Sequence, residues 1–394
     1  MSLAPFLLAA PFVAAVLCVV AGRFVGLVSA VGAVATALLA VLVAFDSFTA
    51  PPQHAIFGLV YVDALSGLIT LIVGLISVAA TLYSVGYLRN AVAAGEITAG
   101  QVRWFHLWIQ LSIGAMIAVP LMNNLGLMWV AIETTTLFTA LLVAFVRRGH
   151  ALEAAWKYLM LGAVGLAFAL FGLLLTYYAA SQSLGDAAGA LDWDELRANA
   201  KLLDPDLMRF AFALVLVGFG TKAGLAPMHT WLPDAHGQAP TPVSVILSGA
   251  LLNCALYGIL RFHLLTAGAA GERFSSDLLL GFGALSIAIA VPFVLVQHDL
   301  KRLLAYSSVE HMGIVALAVG IGGPLGLFAA AFHMFNHAVG KTVLFVAAGA
   351  IGQRYGTLRL ARLRGAMEVA PIPALGLLLG TLAITGSPPF APFA

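Results

Sequence analysis

The sequence predicts an all-α polytopic membrane protein, and its composition and apolar segments are the reasons. Of 394 residues, 62% are hydrophobic and 9% are charged, with a mean hydropathy of +1.02. Soluble domains carry about 25% charged residues. A membrane-spanning helix needs about 20 apolar residues, so the chain has room for about twelve such helices joined by short loops.

The rest of the composition argues against several functional classes. The net charge of +2 does not favour general nucleic-acid binding. The two cysteines, Cys18 and Cys254, lie in separate apolar runs, and we interpret them as small core residues outside any metal site or disulfide. The sequence has no cysteine cluster for iron–sulfur and no phosphate-binding glycine loop, so we expect no cofactor and no redox chemistry in this chain.

Twelve apolar segments, here called TM1 to TM12, are predicted to cross the membrane. The polar, proline-marked segment 46–62 is predicted to form an external loop with a small hairpin. A second polar segment, 181–206, is predicted to carry a surface helix. The predicted spans are 3–22, 25–44, 64–88, 104–121, 123–146, 152–180, 207–231, 241–266, 276–297, 301–321, 324–352 and a last one that begins near residue 372.

Basic residues are distributed unevenly between the two predicted sides of the membrane. With the N-terminus outside, eleven lie on the cytoplasmic side, Arg147 and Arg148 among them, and five lie on the external side. This asymmetry agrees with the positive-inside rule and supports the orientation. The other three of the nineteen basic residues are lysines inside predicted helices, Lys157, Lys222 and Lys341.

TM7 is predicted to break directly after Lys222. The lysine follows a long apolar run, and His229, Asp234, His236 and four prolines follow before hydrophobicity resumes near Val245. An interrupted helix at membrane depth is tolerated where it lines a cavity, and such interruptions mark transport sites. We therefore predict that Lys222 is a station for protons.

Glu133 lies in the middle of TM5 among threonines. Charges inside bilayers are costly and usually mark ion or substrate pathways. Two interpretations stay open: a protonated, structural carboxyl group, or a carboxylate that exchanges protons and controls a nearby lysine such as Lys222. Glu153 and Lys157, spaced i, i+4 in TM6, are instead predicted to form a structural ion pair near the cytoplasmic surface.

TM11 carries three titratable residues, His333, His337 and Lys341, at positions i, i+4 and i+8. Each step of four residues rotates a helix by about 40° and rises about 6 Å, so the three form one stripe. Histidine titrates near neutral pH, so the stripe suits proton transfer through water. A metal site is the alternative, although no HExxH-type glutamate adjoins. In TM10, Glu310 and His311 either belong to this pathway or cap the helix end.

A second interruption, the Gly-Ser-Pro-Pro of TM12, follows an apolar run as the break in TM7 does. Paired interruptions in two halves of a chain indicate an inverted-repeat transporter. We therefore divide the chain into residues 1–103 with TM1 to TM3, a first repeat at 104–266 with TM4 to TM8, and a second at 267–394 with TM9 to TM12. Because the sequence stops within the broken TM12, we expect an incomplete second repeat and a fragment of a longer protein.

Four motifs, in this order, resemble the antiporter-like proton-pumping subunits of the complex I superfamily: GTKAGLAPMHTWLPDAHGQAPTPVSVILSG, DLKRLLAYSSVEHMG, FHMFNHAVGKTVLF and TGSPPFAPF. That superfamily includes membrane subunits of NADH–quinone oxidoreductase, Mrp-type sodium/proton antiporters and energy-converting hydrogenases. The resemblance extends over about residues 60–394. EHMG in TM10 and SGALLNCALYGILRF in TM8 look most like hydrogenase-4 component F.

The resemblance implies a fourteen-helix fold with two inverted five-helix repeats, each with a half-channel and one broken helix, TM7 or TM12. It also implies that Glu133 pairs with Lys222. By position, the residues that match the family's proton pathway are Glu133, Lys222, His333, His337 and Lys341, and His229 and His236 match histidines found in some members.

The chain departs from the family pattern in two places. TM8 of the respiratory subunits usually carries a lysine or histidine that links the half-channels, whereas Ser248 and Asn253 stand at the matching positions here. Neither titrates, so transfer from Lys222 to His337 would need water or a group such as His311. The lysine or glutamate of the family's twelfth helix, which follows the Pro-Pro break, is also absent from this sequence, so we expect these residues to lack the family's outlet station.

Three functional hypotheses follow. The first is a non-redox, proton-translocating subunit of a hydrogenase-like or complex I-like pump in a bacterial or archaeal cytoplasmic membrane, with other membrane subunits and a peripheral redox arm as partners. The second is a Na+/H+ antiporter or bicarbonate-uptake membrane subunit. The third is a structural spacer without transport, which the residues of TM8 make conceivable.

Overall fold

A computed structural model describes residues 2–146, 149–185 and 189–390, and nearly all of them lie in helices. Within these ranges ten helices are long and apolar enough to cross a membrane, and two shorter apolar helices stand where TM1 and TM12 are predicted. The predicted all-α polytopic fold class is confirmed. Arg147 and Arg148, together with the last four residues of the predicted TM12, lie outside the described residues.

The helices and strands follow the predicted order. They are α1 (Ala4–Val20), α2 (Val25–Thr49), β1 (Gln53–Ala55), β2 (Val60–Val62), α3 (Ala64–Ala93), α4 (Ala99–Leu121), α5 (Leu125–Val143), α6 (Gly149–Leu184), α7 (Trp193–Ala198), α8 (Pro205–Ala223), α9 (Trp231–Gln238), α10 (Thr241–Ile246), α11 (Leu252–Ala270), α12 (Glu272–Leu295), α13 (Leu300–Ile321), α14 (Gly323–Tyr355), α15 (Ala366–Val369) and α16 (Pro371–Ile384).

The two polar segments fold as expected. β1 and β2 form an antiparallel hairpin in which Gln53 pairs with Val62. The predicted surface helix is α7. One boundary is wrong, because α2 continues through Thr49 into the segment assigned to the external loop. Its last residues keep the helical spacing, and the helix ends directly before Pro51 and Pro52, as helices usually do before proline.

Close helix packing depends on glycine at two interfaces. A Cβ atom on Gly218 of α8 would lie 2.5 Å from the Ala169 nitrogen and 2.6 Å from the Gly165 oxygen, both backbone atoms of α6. Likewise, a Cβ on Gly283 of α12 would lie 2.7 Å from the Gly313 oxygen of α13. Small residues allow helix backbones in membranes to approach each other this closely. The contact at Gly218 sets the position of α8 along α6.

TM7 breaks where the sequence predicted. α8 ends at Ala223, and Gly224 follows with a φ of 77°, a left-handed conformation that favours glycine. A 3-10 turn at Met228–Thr230 leads into α9. TM8 holds an irregularity that was not predicted, a π-helical turn at Leu247–Leu251 between α10 and α11. The span from α10 through the π-helical turn to α11 is buried on all sides.

The two ends of the bundle differ in chemistry. At one end of the bundle α3 and α14 finish and α13 begins, and we call this end the basic face. There the Asn90 side chain donates a hydrogen bond to Gln353 Oε1 at 3.1 Å. The opposite end carries the hairpin and α7. There the buried Arg261 of α11 forms two hydrogen bonds to Asp63, at 2.6 and 2.8 Å, and its guanidinium lies 4.4 Å from the centre of the Trp193 ring.

Candidate functional site

Lys222 lies in the last turn of α8, directly before the break, and is 1% exposed. Its Nζ donates to Thr136 Oγ1 of α5 at 2.6 Å and to the Tyr158 hydroxyl of α6 at 2.5 Å. The same Nζ lies 4.3 Å from the centre of the Tyr158 ring, within cation–π distance. Three helices therefore converge on one amine in the interior of the bundle.

Glu133 reaches this lysine through Thr136. Thr136 Oγ1 lies 3.4 Å from Glu133 Oε2, one turn away on α5. Because a hydroxyl group can accept from the Lys222 ammonium and donate to a carboxylate at once, Thr136 bridges the two charged groups. Glu133 and Lys222 also attract each other through the low-dielectric interior. The structure thus brings the two together with Thr136 between them.

Tyr158 is a site residue that the sequence reasoning missed. It is fully buried, and its hydroxyl also lies 2.7 Å from Thr139 Oγ1. Its ring packs 4.6 Å from that of Trp231 at the start of α9, and the Trp231 indole donates to Thr221 O at 2.7 Å. Tyr158 therefore connects the lysine to both sides of the helix break. The only sequence signal was a tyrosine beside Lys157 in an otherwise apolar segment.

A second cluster forms where α13 meets α14. His311 Nδ1 lies 2.8 Å from His333 Nε2, and the His311 ring centre lies 5.5 Å from that of His337. His311 therefore contacts both histidines of the stripe and does not merely cap its helix. Both ring nitrogens of His337 are buried without a hydrogen-bond partner in the described part of the chain. Such atoms are normally satisfied by water, which proton transfer requires.

Lys341 ends the stripe in a setting like that of Lys222. It is fully buried, and its Nζ donates to Leu304 O at 2.8 Å and to Ser307 Oγ at 2.5 Å, both on α13. Glu310, half-buried on the same helix, is the carboxylate whose charge acts on this lysine. Each half of the bundle therefore holds a buried lysine with a hydroxyl acceptor and a carboxylate within electrostatic reach.

His229 and His236 occupy different positions after the break in TM7. The His229 ring packs edge-on against Tyr306, with 6.1 Å between ring centres. His236 of α9 is fully buried and stacks on Phe345 of α14 at 5.0 Å. Neither ring nitrogen of His236 has a partner within the described ranges. His236 therefore joins the broken helix to the helix that carries Lys341.

The residues of TM8 that replace the expected proton carrier are fully buried and polar. Ser248, in the π-helical turn, lies 2.9 Å from Ser308 on α13, Oγ to Oγ. Asn253 donates to Gly249 O at 2.8 Å, while its Oδ1 is buried without a partner among the described residues. Ser308 directly follows Ser307, which accepts from Lys341. The middle of the molecule thus offers hydroxyl and amide groups where a titratable side chain was expected.

Lys157 and Lys301 differ in burial. Lys157 pairs with Glu153 at 2.7 Å, as predicted, and its side chain is 47% exposed, so it lies at the surface of the bundle and not in its interior. It also lies 3.4 Å from Asp234, which binds Arg302 at 2.6 Å. Lys301, one of the eleven basic residues that the sequence analysis assigns to the cytoplasmic side, is only 3% exposed. Its position at the start of α13 turns the side chain inward.

The metal alternative for TM11 finds no support in the geometry. His333 uses its Nε2 in the contact with His311. Within residues 2–146, 149–185 and 189–390, no group of three His, Cys, Asp or Glu side chains is arranged to hold a metal ion. The arrangement of buried lysines, histidines and hydroxyl groups can instead hold and pass protons.

The chain is similar to several known proteins. Residues 122–394 match the model of a family described as NADH:quinone oxidoreductase/Mrp antiporter, transmembrane. The hydrogenase-4 component F homologue of Methylacidiphilum infernorum is 42% identical over 332 residues, which cover 84% of this chain and 70% of that protein. A Na+/H+ antiporter subunit of Alkalihalophilus pseudofirmus is 31% identical over 358 residues, covering 87% of this chain and 42% of that protein.

A solved structure shows the same architecture. A chain of the membrane-bound sulfane sulfur reductase, an archaeal respiratory membrane complex, superimposes with a TM-score of 0.88 at 26% sequence identity. The match covers 100% of this chain and 80% of that chain. The fold and the sequence therefore point to the same group of proteins.

Proposed function

Because the chain belongs to the NADH:quinone oxidoreductase/Mrp antiporter transmembrane family, we propose that it translocates protons as one membrane subunit of a hydrogenase-like or complex I-like redox-driven assembly. The observation that carries this proposal is the hydrogen-bonded group of half-buried Glu133 and buried Thr136, Tyr158 and Lys222 beside the break between α8 and α9. Buried ionisable residues beside a broken helix are the expected features of a transport site.

In the proposed mechanism, Glu133 controls the proton on Lys222. While the carboxylate is charged, it offsets the cost of an ammonium in the interior, and Lys222 stays protonated. When that charge is neutralised, an uncompensated ammonium costs several kcal/mol in a buried site, so the lysine releases its proton. Thr136 and Tyr158 keep the amine oriented in both states because hydroxyl groups both donate and accept hydrogen bonds.

The second half of the bundle repeats these elements. Lys341 takes the place of Lys222, Glu310 supplies the carboxylate, and the histidines His311, His333 and His337 extend the route along α14. Between the halves, water near Ser248 and Asn253 would carry the proton, because these side chains do not titrate. We further propose that residues 104–266 and 267–394 correspond to two inverted repeats, preceded by α1 to α3 within residues 1–103.

An energy source outside this chain is required. Moving one charge across the membrane costs about 2.3 kcal/mol per 100 mV. We propose that other membrane subunits transmit this energy from a peripheral redox arm, as befits a relative of a chain from a respiratory membrane complex. The basic face would lie in the cytoplasm of a bacterium or archaeon, with the N-terminus outside.

A thiol-labelling experiment tests this orientation. Cysteines placed at the exposed positions Lys201 and Arg364 lie at opposite ends of the bundle, whereas the native Cys18 and Cys254 are buried. A membrane-impermeant thiol reagent applied to intact cells should label position 201, and position 364 only after permeabilisation. The reverse pattern would contradict the proposed orientation.

Proton uptake by the whole assembly in proteoliposomes tests the function. Glu133→Gln keeps the size of the side chain and removes its charge, so redox-driven proton uptake should fall at least about tenfold. Glu195→Gln, on the exposed surface of α7, is the matched control and should leave uptake unchanged. Normal uptake in Glu133→Gln would refute the proposed role.

Sodium/proton exchange is the second candidate, and the similarity to a Na+/H+ antiporter protein favours it. This activity would need no electron transfer through a partner. Sodium efflux from loaded vesicles, driven by a pH gradient without any redox substrate, would identify it. Proton uptake that depends on electron transfer and is indifferent to sodium would favour the redox-driven pump.

A further inference from the structure

Lys301 lies where the basic face opens into the interior. It is the second residue of α13, and its Nζ donates to Ala239 O at the end of α9 at 2.5 Å. In the described part of the chain this is the one hydrogen bond of the ammonium, and Asp299, directly before α13, is the carboxylate whose charge acts on it. An ammonium has three N–H donors, so burial without further acceptors is costly unless water reaches it.

A polar cavity supplies that access. It measures about 360 Å³ and lies between the end of α3, the start of α10, the start of α13 and the end of α14. Lys301, Thr241, Asn90 and Gln353 contribute polar atoms to its lining. Near its inner wall at Gly349, the Tyr83 hydroxyl is buried without a partner among the described residues. Buried polar atoms of this kind are normally bound to water.

His236 is a buried titratable group on which the charge of Lys301 acts. It belongs to α9, whose final carbonyl region Lys301 binds, and both its ring nitrogens are buried and unpartnered within the described ranges. Charges on Lys301 and Lys341 both act on His236. The stacking partner of His236, Phe345, lies one turn after Lys341 on α14. Lys301, His236 and Lys341 therefore form an inward series from the cavity.

We propose that Lys301 is the proton-entry station of the second half of the bundle, receiving protons from water in the cavity and passing them by way of His236 to Lys341. The Lys301 ammonium gives one proton through water to a ring nitrogen of His236, and the neutral amine takes a replacement from cavity water. No electron or further reactant is needed. This inference rests on the proposed function and adds an entrance to it.

A purely structural role for Lys301 is the competing explanation. A cation that binds the last carbonyl groups of a helix stabilises its C-terminus, and Lys301 does so for α9. Lys301→Arg separates the two roles, because arginine keeps the charge and the donors but does not release its proton in proteins. Lys301→Ala removes both roles and leaves room for a small amine beside the cavity.

Proton uptake by the complete assembly provides the first test. We expect Lys301→Arg to assemble normally and to lower redox-driven uptake at least about tenfold, while Lys201→Arg at an exposed position has no effect. Externally added ethylamine should restore part of the uptake in Lys301→Ala and none in Lys301→Arg. If Lys301→Arg takes up protons normally while Glu133→Gln has lost proton uptake, the entry role is overturned and the proposed function stands. If both variants take up protons normally, the proposed function itself is refuted.

A measurement on the unaltered assembly keeps the inference testable if the variants fail to assemble. Reductive methylation with formaldehyde followed by mass spectrometry reports which lysine amines are reached by water in their neutral form. We expect methylation of Lys301 to exceed that of Lys222 and Lys341 severalfold. Equal protection of all three lysines would overturn the proposed entrance.

Discussion

At the scale of single residues, burial and hydrogen-bond partners distinguish lysines that look equivalent in the sequence. Lys157 and Lys222 both fall inside apolar segments, yet one lies in an ion-pair network at the basic face and the other lies in the interior. The reason is position along the helix, because Lys157 stands two turns from the start of α6, where its long side chain reaches the surface. The charge of a residue in an apolar segment identifies it as a candidate for the proton pathway, and its burial in the bundle distinguishes a pathway residue from a surface ion pair.

The Tyr158 hydroxyl should matter to transport. Tyr158→Phe removes one of the two acceptors of the Lys222 ammonium, and a hydrogen bond to a charged group contributes about 1.5–3 kcal/mol. We expect proton uptake by the assembly to fall about tenfold or more, with the ring packing against Trp231 preserved. Tyr178→Phe, at an exposed position on the same helix, is the control. Unchanged uptake in Tyr158→Phe would show that this hydroxyl is dispensable.

The Asp63–Arg261 pair predicts how stability depends on pH. Burial works to raise the pKa of Asp63, but the hydrogen bonds and charge of Arg261 outweigh it and hold this pKa below its usual range. A carboxylate with a lowered pKa in the folded state contributes stability at neutral pH and loses it as pH falls through that lowered pKa. The acid loss therefore lies below about pH 4, the usual value for aspartate.

Removing the Asp63 charge tests this prediction in detergent solution. Asp63→Asn leaves Arg261 uncompensated in the interior, so the free energy of unfolding at pH 7 should fall by about 3–5 kcal/mol, and its decline at acid pH should flatten. Asp206→Asn disrupts an exposed pair with Arg209 and should cost about 0–1 kcal/mol. Equal effects of the two substitutions, measured by thermal unfolding across pH, would show that the buried pair contributes no more than the exposed one.

At the scale of elements, glycine and proline made the break in TM7 predictable, and the π-helical turn in TM8 was not. The break needs a left-handed residue and proline, and the sequence supplies both as Gly224 and Pro227. The π-helical turn contains no proline and no left-handed residue, and it packs against α3 and α14. A Cβ on Gly249 would lie 2.9 Å from Ile76, a tertiary contact that no local pattern reveals. Local signals therefore located one interruption and missed the other.

The contact of α8 with α6 should determine where Lys222 stands. Gly218→Ala places a methyl group against the α6 backbone one turn before the lysine, so the helices must separate. Overpacking of this kind costs about 1–3 kcal/mol. We expect lower thermal stability and reduced proton uptake together. Gly281→Ala on α12, where the new atom meets open space, should change neither property; a Gly218→Ala variant as stable and active as the parent would refute this contact.

At the scale of the whole molecule, composition and hydropathy predicted the fold class and every described span, because burial in lipid demands long apolar helices. They could not predict which buried groups meet. Glu133 and Lys222 are 89 positions apart in the sequence, and His311 joins the TM11 stripe only because α13 packs beside α14. The sequence did not identify Tyr158 or Lys301 as site residues for the same reason, because the contacts that define them come from other helices.

The proposed function requires Lys222 to carry protons that cross the membrane. The decisive quantity is the number of protons taken up per electron pair transferred, measured for the complete assembly in proteoliposomes with Lys222→Ala and with the exposed control Lys201→Ala. We expect this ratio to fall in Lys222→Ala while electron transfer continues, and to be unchanged in the control. An unchanged ratio in Lys222→Ala would show that protons cross without this lysine.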